Sequence, residues 1–270
     1  MLKHEFDMLK KDKKAILVFL ILLGVVLFDL YRQYVAEFID MGFMGRWDYP
    51  AKWIKWLDHP ANASFLSSSL EGHISQMLYL WILPVYLLLI YCDKSIAESR
   101  SGYFAVMMIK QGKKKFLKTK FQFSFLMGFA VVFFTLFLNY ILAIVFFWGG
   151  PDFDGLELAY FPTHVVFTFS MKYPYVAYFL YIIAVSILSG GCAMICTGLS
   201  FIFTQYRYLY LASFLLWYMQ IIAPNSLTYV MQPFIEYDLP YMLPALGVFA
   251  VICVVAVSAG YVYRMRKDEL

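Results

Sequence analysis

Long apolar runs, nearly free of charge, recur along the whole chain at 15–34, 75–92, 121–148, 174–203, 208–223 and 239–263, each bounded by charged residues or by Pro and Gly clusters. A run of about 20 apolar residues matches one helical bilayer crossing. Hydrocarbon leaves backbone N–H and C=O groups no solvent partner, so a spanning segment must satisfy them internally. The pattern therefore predicts an all-α membrane protein with six transmembrane helices in one domain over 15–263. Composition agrees, with 62% hydrophobic and only 15% charged residues, whereas a soluble domain carries about 25% charged residues. Disordered, collagen-like and disulfide-scaffold classes are excluded. The shortest run, 208–223, is followed by Pro224, Pro233 and Pro240, a pattern expected of a segment that partly dips into the outer leaflet.

Basic residues set the expected orientation. Seventeen of the 22 Lys and Arg fall in the first 14 residues, the 93–120 loop, Arg207 and the tail at 264–270. The other side holds Arg32, Arg46, Lys52, Lys55 and Lys172 together with acidic residues such as Glu37, Asp40, Asp48, Asp152, Asp154 and Glu236. Cytosolic loops of membrane proteins are enriched in Lys and Arg, so both termini are expected in the cytosol. Trp47, Trp53, Trp56, Trp148 and Tyr173 at the outer ends suit an interfacial belt. Residues 1–14 place Leu2, Phe6 and Leu9 on one side of a short amphipathic helix expected along the inner surface, with a frayed basic tail that follows the positive-inside rule as the alternative. The apolar stretch after it continues to Leu30 without a small-residue cleavage site, which reads as a retained first helix. The terminal Lys267-Asp268-Glu269-Leu270 would act as a retention signal only facing a lumen, and this topology places it in the cytosol; the sequon at Asn62 would matter only in a eukaryotic secretory pathway.

The chemistry-bearing residue types are sparse. Cys92, Cys192, Cys196 and Cys253 all lie in or beside apolar runs and read as packing residues. The histidines at 4, 59, 73 and 164 form no HExxH or Ser/His/Asp arrangement, and no paired carboxylates suited to acid–base work occur. The expectation is a chain that is not an enzyme and holds no metal or cofactor. Uncharged polar residues within the spans, Thr135, Asn139, Ser186 and Gln220, are candidates for a substrate pathway, with hydrogen bonding between neighbouring helices as the alternative use. In the fourth run, Ser186, Gly190, Ala193 and Thr197 recur at helical steps and form a face along which helices can approach closely.

The 93–120 loop is the most distinctive segment. An amphipathic helix is predicted over about 95–110, with Ser95 as N-cap and Glu98 completing a capping box. Gly112 ends it, and Lys113, Lys114, Lys115, Lys118 and Lys120 lead into the third span. Here the chain resembles the permease subunits of ABC transporters of the ABC-2 type, also called type V. In that family an acidic residue, a Gly four positions later, a basic residue a dozen further on and a Lys opening the third span recur, and these positions read Glu98, Gly102, Lys114 and Lys120. Tyr103 stands where the family commonly has a small hydroxyl residue.

The resemblance implies a six-span exporter fold, with the 1–14 helix as the connecting helix and the 95–110 helix as a coupling helix pressed into a cytosolic ATPase. Ser95, Glu98, Arg100, Gly102 and Phe104 would then contact or transmit force from that partner. No GxxxxGK[ST] phosphate loop occurs in the chain, so ATP and Mg would be bound by a separate ATP-binding subunit. The permease would pair with itself or with a second permease in the bacterial plasma membrane, surrounded by membrane lipid and without nucleic acid. An aromatic wall poor in fixed charge favours a hydrophobic or amphipathic cargo such as an antimicrobial peptide, drug or lipid. The competing expectation is a membrane sensor or immunity protein that binds a toxic peptide without moving it.

Overall fold

A computed structural model describes residues 2–40, 57–67, 74–153, 156, 164–235 and 237–267. The tryptophans at 47, 53 and 56 and most of the terminal tetrapeptide lie outside the described residues. The described chain is helical, with one isolated backbone bridge between Asp58 and Asp152. Helix α1 spans Leu2–Lys10 and α2 spans Lys13–Tyr34, continuing through a wider turn at Val35–Asp40. Asp12 separates them and caps α2, its carboxylate accepting from the N–H groups of Lys14 at 3.0 Å and Ala15 at 3.4 Å. An acidic cap there satisfies orphan donors and opposes the positive helix end.

Helix α3 (Ile74–Trp81) is followed by α4 (Leu83–Leu87), and the helical stretch that α4 opens, Leu83–Arg100, is bent by 54° from α3. Pro84 explains the bend, because it has no N–H to give the Leu80 carbonyl one turn back and its ring crowds that position. The freed Leu80 carbonyl instead accepts the Trp217 indole N–H at 2.8 Å. The chain then passes through a wide turn at Leu88–Cys92 into α5 (Lys94–Arg100) and α6 (Tyr103–Gln111). The single helix predicted over 95–110 is thus two helices, broken at Gly102, whose φ of +73° lies in the left-handed region that glycine adopts without a Cβ clash. The N-cap position is Asp93, not Ser95, and Glu98 bonds elsewhere, so the predicted capping box does not form.

Helix α7 (Lys113–Phe146) is followed by α8 (Val165–Lys172), α9 (Pro174–Ile202), α10 (Tyr206–Ile222), the short α11 (Thr228–Met231) and α12 (Leu239–Arg266). Four helices, α2 with its extension, α7, α9 and α12, are long and apolar enough to cross a membrane, and the bent pair from α3 to Arg100 makes five. The sixth expected crossing, 208–223, falls in α10, whose 17 residues rise about 25 Å, short of the roughly 30 Å hydrocarbon thickness.

Helix α9 is the hub, with 67% of its apolar window buried. Its small residues let neighbours come close: a Cβ on Gly128 of α7 would lie 2.8 Å from the Ala193 Cβ, and Gly198 and Gly260 bring α9 and α12 into backbone contact. Hydrogen bonds fix the register, Ser189 donating to the Gly128 carbonyl at 2.9 Å and Ser124 meeting Thr197 at 2.6 Å. Close approach of small residues and interhelical hydroxyl bonds are the usual glue where lipid removes the hydrophobic drive between helices. At the end of the bundle away from α1, Asp238 accepts the N–H groups of Val165 and Val166 at 2.9 Å each, pinning the start of α8 to the start of α12. Burial opposes its charge, yet these N–H bonds hold the Asp238 carboxyl below its usual range.

Candidate functional site

The basic segments converge at one end of the bundle around a buried ammonium. Lys120, two turns into α7, is 1% exposed, and an unpaired charge at such a position is prohibitive. Two carboxylates answer it: Glu5 of α1 at 3.0 Å and Glu98 of α5 at 2.8 Å. The Tyr91 hydroxyl donates to Glu5 at 2.9 Å, and the ammonium sits 5.3 Å from the Tyr91 ring and 5.7 Å from that of Phe116. Four separate elements therefore meet at one charge.

A second ring of contacts surrounds this node. Arg264, near the end of α12, is buried, donates to the Ser99 hydroxyl at 2.9 Å and lies 4.5 Å from the Phe104 ring. Arg100 donates to the carbonyl of Thr204 in the α9–α10 turn at 2.6 Å. Asp93 takes Lys14 of α2 at 3.0 Å and the Tyr210 hydroxyl of α10 at 2.8 Å, while Lys94 pairs with Asp12 at 2.6 Å. Beneath α6, Phe104, Phe116, Phe121 and Phe201 pack edge to face. The 93–111 segment is thus bonded or packed to α1, α2, α7, α9, α10 and α12, so a displacement of it would move most of the bundle.

Of the predicted coupling residues, Ser95 and Phe104 are buried inside this platform, Glu98 is mostly enclosed, and Arg100 and Gly102 are exposed. The outward apolar face belongs instead to Val106 and Ile109 of α6, 62% and 78% exposed. Sequence reasoning missed Glu5, Tyr91 and Arg264. The available signal was weak: Glu5 is one of two acidic residues, with Asp7, in an amphipathic helix that also carries Lys3 and Lys10, and Arg264 closes the last apolar run.

The four pathway candidates are all buried, and each is hydrogen-bonded within the bundle. Asn139 accepts the Phe65 N–H at 3.0 Å and donates to the Val26 carbonyl at 3.2 Å. Thr135 bonds the Tyr79 hydroxyl. Ser186 and Gln220 donate back to carbonyls of their own helices, Ile182 and Leu216, both at 2.7 Å. Asn139 is part of a second feature, a turn-rich segment at 57–67 inserted between helices about two turns, or roughly 10 Å, inside the end of α7. Its backbone is satisfied by side chains, Leu66 N–H by the Tyr178 hydroxyl and Leu66 C=O by Gln76, both at 3.0 Å. Irregular backbone persists at such depth only where protein groups replace water. The Asn62 sequon is buried there, and His59 stacks on Phe153 at 4.5 Å, with burial lowering its pKa to about 4.

These features define an all-helical protein with several helices of membrane-crossing length and apolarity, and with a buried ionic platform at its basic end. Among known proteins it is 37% identical over 211 residues to the "Uncharacterized protein YybM" of Bacillus subtilis (strain 168), an alignment that covers 78% of this chain and 84% of that protein. The chain belongs to the same family as that protein. No protein-family model and no solved structure matches it.

Proposed function

We propose that the chain is the permease subunit of an ATP-driven exporter of the ABC-2 type, acting in a bacterial plasma membrane with its basic end and both termini in the cytosol. The observation that carries this reading is the platform at 93–111, bonded inward to most of the bundle while presenting Val106 and Ile109 outward. A surface that is apolar outside and tied by ions inside suits a lever between a soluble partner and the helices. The partner is an ATP-binding subunit that supplies ATP and Mg; a second permease, identical or not, completes the assembly. This chain transmits movement and performs no bond chemistry. The cargo is hydrophobic or amphipathic, in keeping with the Phe-rich wall of α7.

Co-expression of the tagged chain with candidate ATP-binding subunits of its genome, followed by ATP hydrolysis in lipid nanodiscs, tests the proposal. A stable complex whose ATPase activity is lost with Ile109→Asp is expected. A chain that purifies alone under gentle detergent would favour a peptide-binding sensor or immunity protein.

A further inference from the structure

Two open apolar grooves flank α7 at the basic end. The first, about 890 Å³, runs between α7, α9 and α12, with Phe121 and Phe125 on its wall and Lys114, Lys115 and Lys118 at its mouth. The second, about 680 Å³, lies between α1, α2 and α7 and is lined by Phe6, Phe123 and Phe134 among others. Leu2 and Leu126 line both, forming a shared ridge. Leu126 lies eight residues beyond Lys118, so the ridge is about 12 Å deeper along the helix.

We propose that this double groove is a binding site for an anionic phospholipid of the leaflet at the basic end. The three lysines share one face of α7 in its first two turns, are exposed, and have no ion-pair partner among the described residues. Lys120, by contrast, spends its charge on Glu5 and Glu98. Three free ammonium groups above an apolar trough are complementary to a phosphodiester headgroup carried on acyl chains. One chain lies along Phe121 and Phe125, and the second crosses the Leu2–Leu126 ridge into the neighbouring groove. A lipid there would contact α1, α7, α9 and α12 together and brace the platform from its membrane side. The site depends only on this chain's own residues and stands apart from any ATPase partnership.

The test uses the full chain, purified and delipidated in detergent, then offered phosphatidylglycerol or phosphatidylcholine with the same acyl chains, with retained lipid counted by native mass spectrometry. Phosphatidylglycerol is expected to be kept in preference. The triple variant Lys114→Gln, Lys115→Gln, Lys118→Gln should lose about tenfold or more of that retention, as three basic groups each contributing to headgroup attraction imply. Leu126→Trp, at a half-exposed position that can take bulk without disturbing the core, should displace the lipid with all lysines intact. Equal retention of the two lipids, or an unchanged triple variant, would overturn the site. So would an equal loss in a control with Lys11→Gln, Lys13→Gln and Lys110→Gln, exposed lysines outside both groove linings, since the effect would then be general charge. Closure of the groove by a second copy of the chain, seen as a dimer that excludes lipid, would overturn it as well.

Discussion

At the residue scale, Lys120 decides whether the platform holds. Lys120→Met leaves Glu5 and Glu98 facing each other without a cation, and breaking a buried pair from one side costs about 3–5 kcal/mol. Thermal unfolding of the purified protein in detergent should show that loss, and adding Glu5→Gln should restore a large part of it by removing one orphaned charge. If the double variant is no more stable than the single one, Lys120 is holding the fold by packing rather than by pairing. Glu98 and Lys120 stood out in the sequence by their places in the 93–120 loop, but as a capping partner and as the residue opening a span rather than as a buried pair. Glu5 and Tyr91 did not stand out: each reaches Lys120 only through the tertiary fold, Glu5 from 115 residues away. The polar residues of the spans were visible as polar but not as to use. Thr135 and Asn139 bind another helix and an inserted loop, and nothing in a single sequence tells such a tie from a pathway lining.

At the element scale, bends and breaks separate the structure from the expected pattern. Pro84 stands in plain view inside the second apolar run, yet hydropathy is blind to direction, and the run reads as one crossing whether straight or bent by 54°. What makes the bend tolerable is the Trp217 indole on the Leu80 carbonyl, a partner 137 residues away. Trp217→Phe should therefore cost about 1–3 kcal/mol by leaving that carbonyl unpaired, in addition to any lost packing. Pro84→Ala alone should be milder, and in the double variant the new alanine N–H can occupy the vacant carbonyl, so the two effects should be less than additive in unfolding measurements. Strict additivity would mean that the two groups do not share the carbonyl. Gly102 is a similar case. Its place between two amphipathic stretches was readable, but a glycine within a helical pattern is often tolerated, and only its positive φ marks the break.

For the whole molecule, the gathering of Lys and Arg at one end was legible from counting alone; α9 and α12 run parallel, and α10, though short, returns the chain between them, so the tail still comes to the basic end. The number of crossings was only partly legible: four helices and one bent pair meet the length requirement, and α10 falls short. The proposed function makes this basic end a cytosolic coupling surface for an ATP-binding subunit. The most direct measurement is crosslinking from α6. Cys92, Cys192 and Cys196 are buried and Cys253 is half-buried, so Ile109→Cys introduces a far more accessible thiol at a 78% exposed position. In membranes from cells that also express the ATP-binding subunit, a short thiol-reactive crosslinker should join that subunit to Cys-substituted position 109, and impermeant thiol reagents should label it only once the cytosolic face is opened. Labelling from the outside of intact cells, or labelling from the cytosolic side with no crosslink to an ATP-binding subunit, would contradict the claim.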